Sequence, residues 1–93
     1  MVTGTCKVYF RADWVTSLKE KRSVIKGITE KTKLKFNVSV AEVERQDDHK
    51  SIVLGVACVT NDSGHANSIL DNVLNYMEGI TDAVIEDVIM EIL

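Results

Sequence analysis

The stretch from Ser17 to Asp47 constrains this chain more than any other, because its apolar period changes from helical to extended within one continuous segment. Ser17-Leu18-Lys19-Glu20 has the form of a capping box: a hydroxyl that can accept from the amide three residues on, and a glutamate that can reach back. Leu18, Val24, Ile25 and Ile28 follow near helical spacing and make a narrow apolar stripe amid Lys19, Lys21, Arg22, Lys26, Lys31 and Lys33. A helix is predicted from the Ser17 cap to Lys33. Residues 36–45 then read as a strand. Val38 and Val40 share one phase and Val43 the other, so a bulge is expected near Ala41-Glu42 to return the apolar side chains to one face.

The flanking segments supply the partners. Residues 2–11 alternate, with Val2, Cys6, Val8 and Phe10 in one phase and Thr3, Thr5, Lys7, Tyr9 and Arg11 in the other, which marks a strand with one buried face. Gln46-Asp47-Asp48-His49-Lys50 is expected as a polar hairpin loop. Residues 51–60 are apolar in both phases, as suits a central strand covered on one face and at least partly on the other. Asp62 or Ser63 caps a second helix with a core stripe of Ala66, Ile69, Leu70, Val73, Leu74 and Met77, and Gly79 is placed to end it. A last strand spans 83–93. The order is βαββαβ, a strand-helix-strand unit used twice. Right-handed crossovers put both helices on one face of a four-stranded antiparallel sheet. The expected class is α+β, the ferredoxin-like split βαβ arrangement, as a single domain over residues 1–93. Its second sheet face is left open.

Composition narrows the setting. No apolar run approaches the ~20 residues of a membrane span. The first residues, Met-Val-Thr-Gly-Thr-Cys-Lys, lack a basic region followed by an apolar one, so a cytoplasmic protein without a signal peptide is expected. Cys6 and Cys58 form no C-x-x-C pair and are expected as free, buried thiols. The net charge of −3 hides an asymmetry: residues 1–35 hold nine Lys/Arg against three acids, whereas residues 36–93 hold two against eleven. Such separation can produce faces of opposite charge that steer partners.

Chemistry-bearing groups are sparse. Glu42, Glu44, Asp47, Asp48 and His49 gather around the hairpin, and Asp62 and His65 stand at the second helix start. Carboxylates with a histidine could ligate a metal or move protons, and Glu42, Glu44 and His65 are the acidic-site candidates. No H-x-x-x-H, glycine-rich phosphate loop or nucleophile motif accompanies them, so no catalytic residue, cofactor or metal is assigned and a non-enzymatic module is expected. Other ferredoxin-like chemistries also lack their residues. Paired thiols are missing from residues 11–17, Arg11 has no glycine-rich cradle around it, and the aromatics that stack RNA bases are absent from residues 51–60. Two binding surfaces remain. Lys19, Lys21, Arg22 and Lys26 lie on the first two helical turns and can neutralise RNA phosphates. The open sheet face, with apolar residues in both phases of the last two strands, suits a homodimer or a protein partner. Trp14, before the first helix, is expected to staple against it or to serve as an exposed anchor.

The segments S-L-K-E-K-R (17–22), F-N-V-S-V-A-E-V (36–43), L-G-V-A (54–57) and Asn61-Asp62 with His65 together resemble the YlxP-like family, a bacterial domain of unknown function, over nearly the whole chain. The resemblance implies a small cytoplasmic protein of ferredoxin-like fold. Its genes lie near those for transcription elongation, translation initiation and ribosome maturation, which implies ribosomal RNA or a ribosome-associated protein as partner. It brings no established active site. Ala12-Asp13-Trp14-Val15 departs from the usual pattern at the start of the first helix.

Overall fold

Alternation along the first strand sorts its side chains between two environments. In the computed structural model, which describes all 93 residues, β1 runs Val2–Arg11 and buries Gly4, Cys6, Val8 and Phe10 beneath the helices. It is followed by α1 (Leu18–Lys35), β2 (Ser39–Glu44), β3 (Ser51–Thr60), α2 (Ser63–Ile80) and β4 (Val84–Ile92). The strands are ordered β2-β3-β1-β4, and every neighbouring pair is antiparallel. This is the ferredoxin-like βαββαβ fold. The two longest strands are central and the shorter two form the edges. No helix is long and apolar enough to cross a membrane.

The core lies between the sheet and the helices. Phe10, Ile52, Leu54, Leu70, Val73 and Met77 are among its fully buried members. Burial of such side chains contributes ~1.5–3 kcal/mol each relative to exposure. α2 lies close above β1 because Gly4 has no side chain: a Cβ there would stand 3.1 Å from the Cys58 sulfur, 3.2 Å from Ala66 Cβ and 3.2 Å from Leu70 Cδ1. Cys6 and Cys58 are free and buried. Burial, with a further contribution from Cys58, pushes the Cys6 thiol up to about 11, so it stays protonated near neutral pH.

Several boundaries differ from expectation. α1 continues two residues beyond Lys33, to Lys35, before Phe36 turns extended. At its start the Glu20 amide donates to Ser17 Oγ at 3.1 Å, but the Glu20 carboxylate accepts from the Thr16 amide at 2.7 Å instead of closing back on Ser17. Asp62 caps α2, accepting from the His65 amide at 2.8 Å. Gly79 does not end that helix, which runs on to Ile80. Thr81 then turns extended, and its hydroxyl accepts from the Ala83 amide at 3.2 Å. Trp14 is 45% exposed, whereas Ala12 and Val15 on either side of it are buried. The Lys50 ammonium holds this loop by donating to the Asp13 and Val15 carbonyls.

The helical glycines contrast with Gly4. Nothing stands within 4 Å of a Cβ placed on Gly27 or Gly79, and no glycine has a positive φ. Gly27→Ala and Gly79→Ala are each expected to raise the unfolding free energy by about 0.5–1 kcal/mol. Gly4→Ala is expected to lower it, since strand or helix must move apart to admit the methyl. Urea denaturation of the three variants measures both signs.

Candidate functional site

Lys21 belongs by spacing to the apolar stripe of α1: positions 21, 24, 25, 28 and 32 fall on one helical face. The structure takes this literally. Lys21 is 1% exposed, and its ammonium donates to the carbonyls of Arg45 at 2.8 Å and Asp48 at 2.7 Å. It also lies 2.8 Å from Glu42 Oε2, an ion pair without the alignment of a hydrogen bond. Three acceptors thus surround a group with three donors. The loop between β2 and β3 folds around this charge. Arg45 adopts a left-handed φ of 57°, the Asp48 amide donates back to the Arg45 carbonyl, and the Lys50 amide donates to the Asp48 carboxylate. That last bond is the chief cause of an Asp48 carboxyl held below its ordinary range. Lys21 is therefore withdrawn from the proposed phosphate-binding set; it is a structural cation. Lys19, Arg22 and Lys26 remain exposed.

The acidic candidates do not converge. The expected bulge exists, but it falls at Val43, between Glu42 and Glu44. One extra residue there sends the two glutamates to opposite faces of the sheet. Glu42 pairs in register with the buried Leu54 and meets Lys21 on the helix side. Glu44 pairs with Val53 and meets Lys7 Nζ at 2.6 Å on the open side. In a strand without a bulge, residues two apart such as Glu42 and Glu44 would share one face. His65 stands in the first turn of α2, beyond the Thr60 end of β3, six residues or about 20 Å along the strand from Leu54. No three His, Cys, Asp or Glu side chains come together in a metal-holding group.

Two grooves flank β2. One, of about 380 Å³, runs between α1 and the free β2 edge and is lined by Arg22, Ile25, Lys26, Thr29, Glu30, Lys33, Ala41 and Glu42. Arg22, Lys26 and Lys33 are spaced i, i+4, i+11, so they form one stripe along the helix. Lys33 was not among the sequence candidates for phosphate binding, although the same spacing could have found it. The second groove, of about 400 Å³, lies on the open sheet face over Ala41, Gly55 and Ala57. Gly55 permits it: Val43 folds across β3 there, and a Cβ on Gly55 would stand 2.8 Å from Val43 Cγ1. Beside the groove Lys7, which also lines it, forms a charged cluster with Glu44, Tyr9 and Arg45, the Arg45 guanidinium 5.4 Å from the Tyr9 ring centre. The Lys7 ammonium is raised above its ordinary range, chiefly by its hydrogen bond to Glu44.

The fold is a ferredoxin-like scaffold with a cleft lined by three cations and two acids beside α1 and a largely apolar depression on the open sheet face. The chain belongs to a family described as a protein of unknown function (DUF503), whose model matches residues 3–90. It is similar to the uncharacterized protein YlxP of Bacillus subtilis (strain 168), with 35% identity over 66 residues, which are 71% of this chain and 72% of that protein. Among solved structures it resembles a de novo designed protein with ferredoxin fold, LFR1 (TM-score 0.58, 14% identity, covering 100% of this chain and 84% of the other). It also resembles the designed protein Foldit4 (TM-score 0.52, 15% identity, 99% and 94% covered). A third is a mutant of SnoaB, a cofactor-independent oxygenase from Streptomyces nogalater (TM-score 0.50, 11% identity, 98% and 90% covered). These likenesses show the fold alone.

The two kinds of lysine on α1 differ in their expected energetics. Lys21→Ala leaves the Glu42 carboxylate and two loop carbonyls without their cation and is expected to destabilise by about 3–5 kcal/mol. Lys26→Ala, on the same helix but in solvent, is expected to change stability by less than about 0.5 kcal/mol. The check is the shift in urea midpoint for each variant at an unchanged m-value.

Proposed function

We propose that this chain is a non-enzymatic RNA-binding module of the cytoplasm that engages phosphates of structured RNA, with ribosomal RNA as the expected target, through the exposed basic face of α1. The observation that carries this reading is the shared groove: Arg22, Lys26 and Lys33 line one cleft against the free edge of β2, and Lys19 lies exposed a turn before them. A row of cations beside a cleft is suited to a phosphate backbone, which rewards charge at intervals more than any single contact. The groove carries no aromatic platform, so stacking of unpaired bases is not its mode. The resemblance to a family encoded near translation genes is consistent with a ribosomal partner and rests on analogy alone. Removal of Lys21 from the set strengthens the division of labour on this helix: one lysine holds the fold, and the others remain available to a ligand.

Binding to a structured ribosomal RNA fragment, followed by fluorescence anisotropy across salt concentrations, tests this. Three phosphate contacts give a slope of about −2 to −3 in a plot of log K against log salt. Arg22→Glu/Lys26→Glu is expected to abolish most binding. Lys31→Glu, nine residues and therefore half a helical turn around from Arg22, is expected to have little effect. Equal binding by the double variant and the wild type, or a response flat in salt, would remove the proposal.

A further inference from the structure

The sheet face turned away from the helices changes character steadily from one edge to the other. Register aligns Ala41, Gly55, Lys7 and Ile89 in one row across the four strands, and Ser39, Ala57, Thr5 and Glu91 in the next. At the β2 end these rows are small side chains that floor the 400 Å³ depression, with the Lys33 side chain reaching around the edge to line it; the depression continues across Lys7 and Thr5 to Ile89 and Glu91 on β4. At the β4 end stand a large aliphatic, Ile89, 43% exposed, and an acid, Glu91. From β2 to β4 the first row runs from small side chains to a large one, and the second runs from the Lys33 edge to an acid. A row of this kind is complementary to itself when reversed.

A two-fold axis lying between two stacked sheets and parallel to their strands performs that reversal. It brings β4 of one copy over β2 of the other while keeping the rows level. Ile89 then enters the depression above Ala41 and Gly55 of the second copy, and Glu91 comes over its Ser39 and Lys33. The larger charge pattern agrees. Glu86, Asp87 and Glu91 are all exposed on β4, and the exposed cations of α1 flank β2, so the same rotation sets the acidic edge of each copy against the basic edge of the other. Lys7 and Glu44 are already paired on this face, so covering them leaves no lone buried charge. Four strands about 4.8 Å apart and about 30 Å long present roughly 600 Å² per copy, and the two together reach the lower end of stable interfaces at about 1,200 Å².

We propose that the open sheet face is the contact surface of a symmetric homodimer with this reversed, β4-over-β2 arrangement. The helices, with Lys19, Arg22 and Lys26, lie on the outside of such a dimer; Lys33 alone lines both the cleft and this face, and the dimer is read by mass in the absence of RNA. Sedimentation equilibrium from about 1 to about 200 µM reads it directly. The wild type is expected at twice the 10.3 kDa of one chain. Ile89→Lys, and independently Ala57→Arg from the opposite wall of the depression, are expected at the single-chain mass with an unchanged far-ultraviolet circular dichroism spectrum. Lys33→Glu and Glu91→Lys are each expected to weaken the dimer about fivefold, as a rim ion pair does, and the two together to restore it. A wild type that stays at the single-chain mass throughout overturns the proposal. So does a dimer that Ile89→Lys or Ala57→Arg leaves intact while folded, or one in which the double charge exchange brings no recovery.

Discussion

The structure depends on a buried ammonium group. Lys21 carries its charge into a site that water does not reach, and such a charge is tolerable only when it is paired and hydrogen-bonded. Balancing it recruits an edge strand and a loop at once: the Glu42 carboxylate as counter-ion and the carbonyls of Arg45 and Asp48 as hydrogen-bond acceptors. The requirement settles where α1 sits over β2, how the loop closes and which face Glu42 takes. Because Glu42 is turned toward the helices, the bulge at Val43 frees Glu44 to face the other way and meet Lys7. The two ion pairs are in this sense one device seen from opposite sides of the sheet.

The outline of the fold was legible because it rests on local periodicity. β1 and β3 have the bounds that alternation and an apolar run assign to them, and the Ser17 and Asp62 caps accept the amides that cap chemistry requires. The reading failed where a distant group decides. The fate of Lys21 hangs on carbonyls 24 and 27 residues away, and charge alone classed it with its solvated neighbours although its spacing placed it on the apolar stripe. The bulge was expected one or two residues early because its position is set by Gly55, on another strand, which has room for Val43. That small displacement dissolved the acidic candidate site. Gly79 misled in the opposite way, since a residue suited to ending a helix need not do so when Thr81 can turn the chain two residues later.

Part of the charge asymmetry in the sequence survives folding. The sheet order sets β2 and β4 at opposite edges, with α1 beside β2, so the exposed cations of α1 and the exposed Glu86, Asp87 and Glu91 of β4 lie on opposite flanks of one small body. Glu42 and Glu44, beside the basic flank, are each engaged by a lysine, and Glu30 on α1 itself lies 4.0 Å from Lys26. A molecule so divided has a direction, and partners of either charge meet it in different orientations.

The irregularity at Val43 also bears on what this sheet does not join. An open edge with a regular row of free amides and carbonyls is a template for fibrous aggregation. β2 is only six residues long and is broken by its bulge, while β4 has a register break opposite Tyr9 and Phe10 and exposes Glu86 and Asp87 beside it. Neither border offers a flat, uncharged run for another strand to copy. The same kink that parts two glutamates thus guards a proline-free chain, rich in β-branched residues, against growing edge to edge into amyloid-like ribbons.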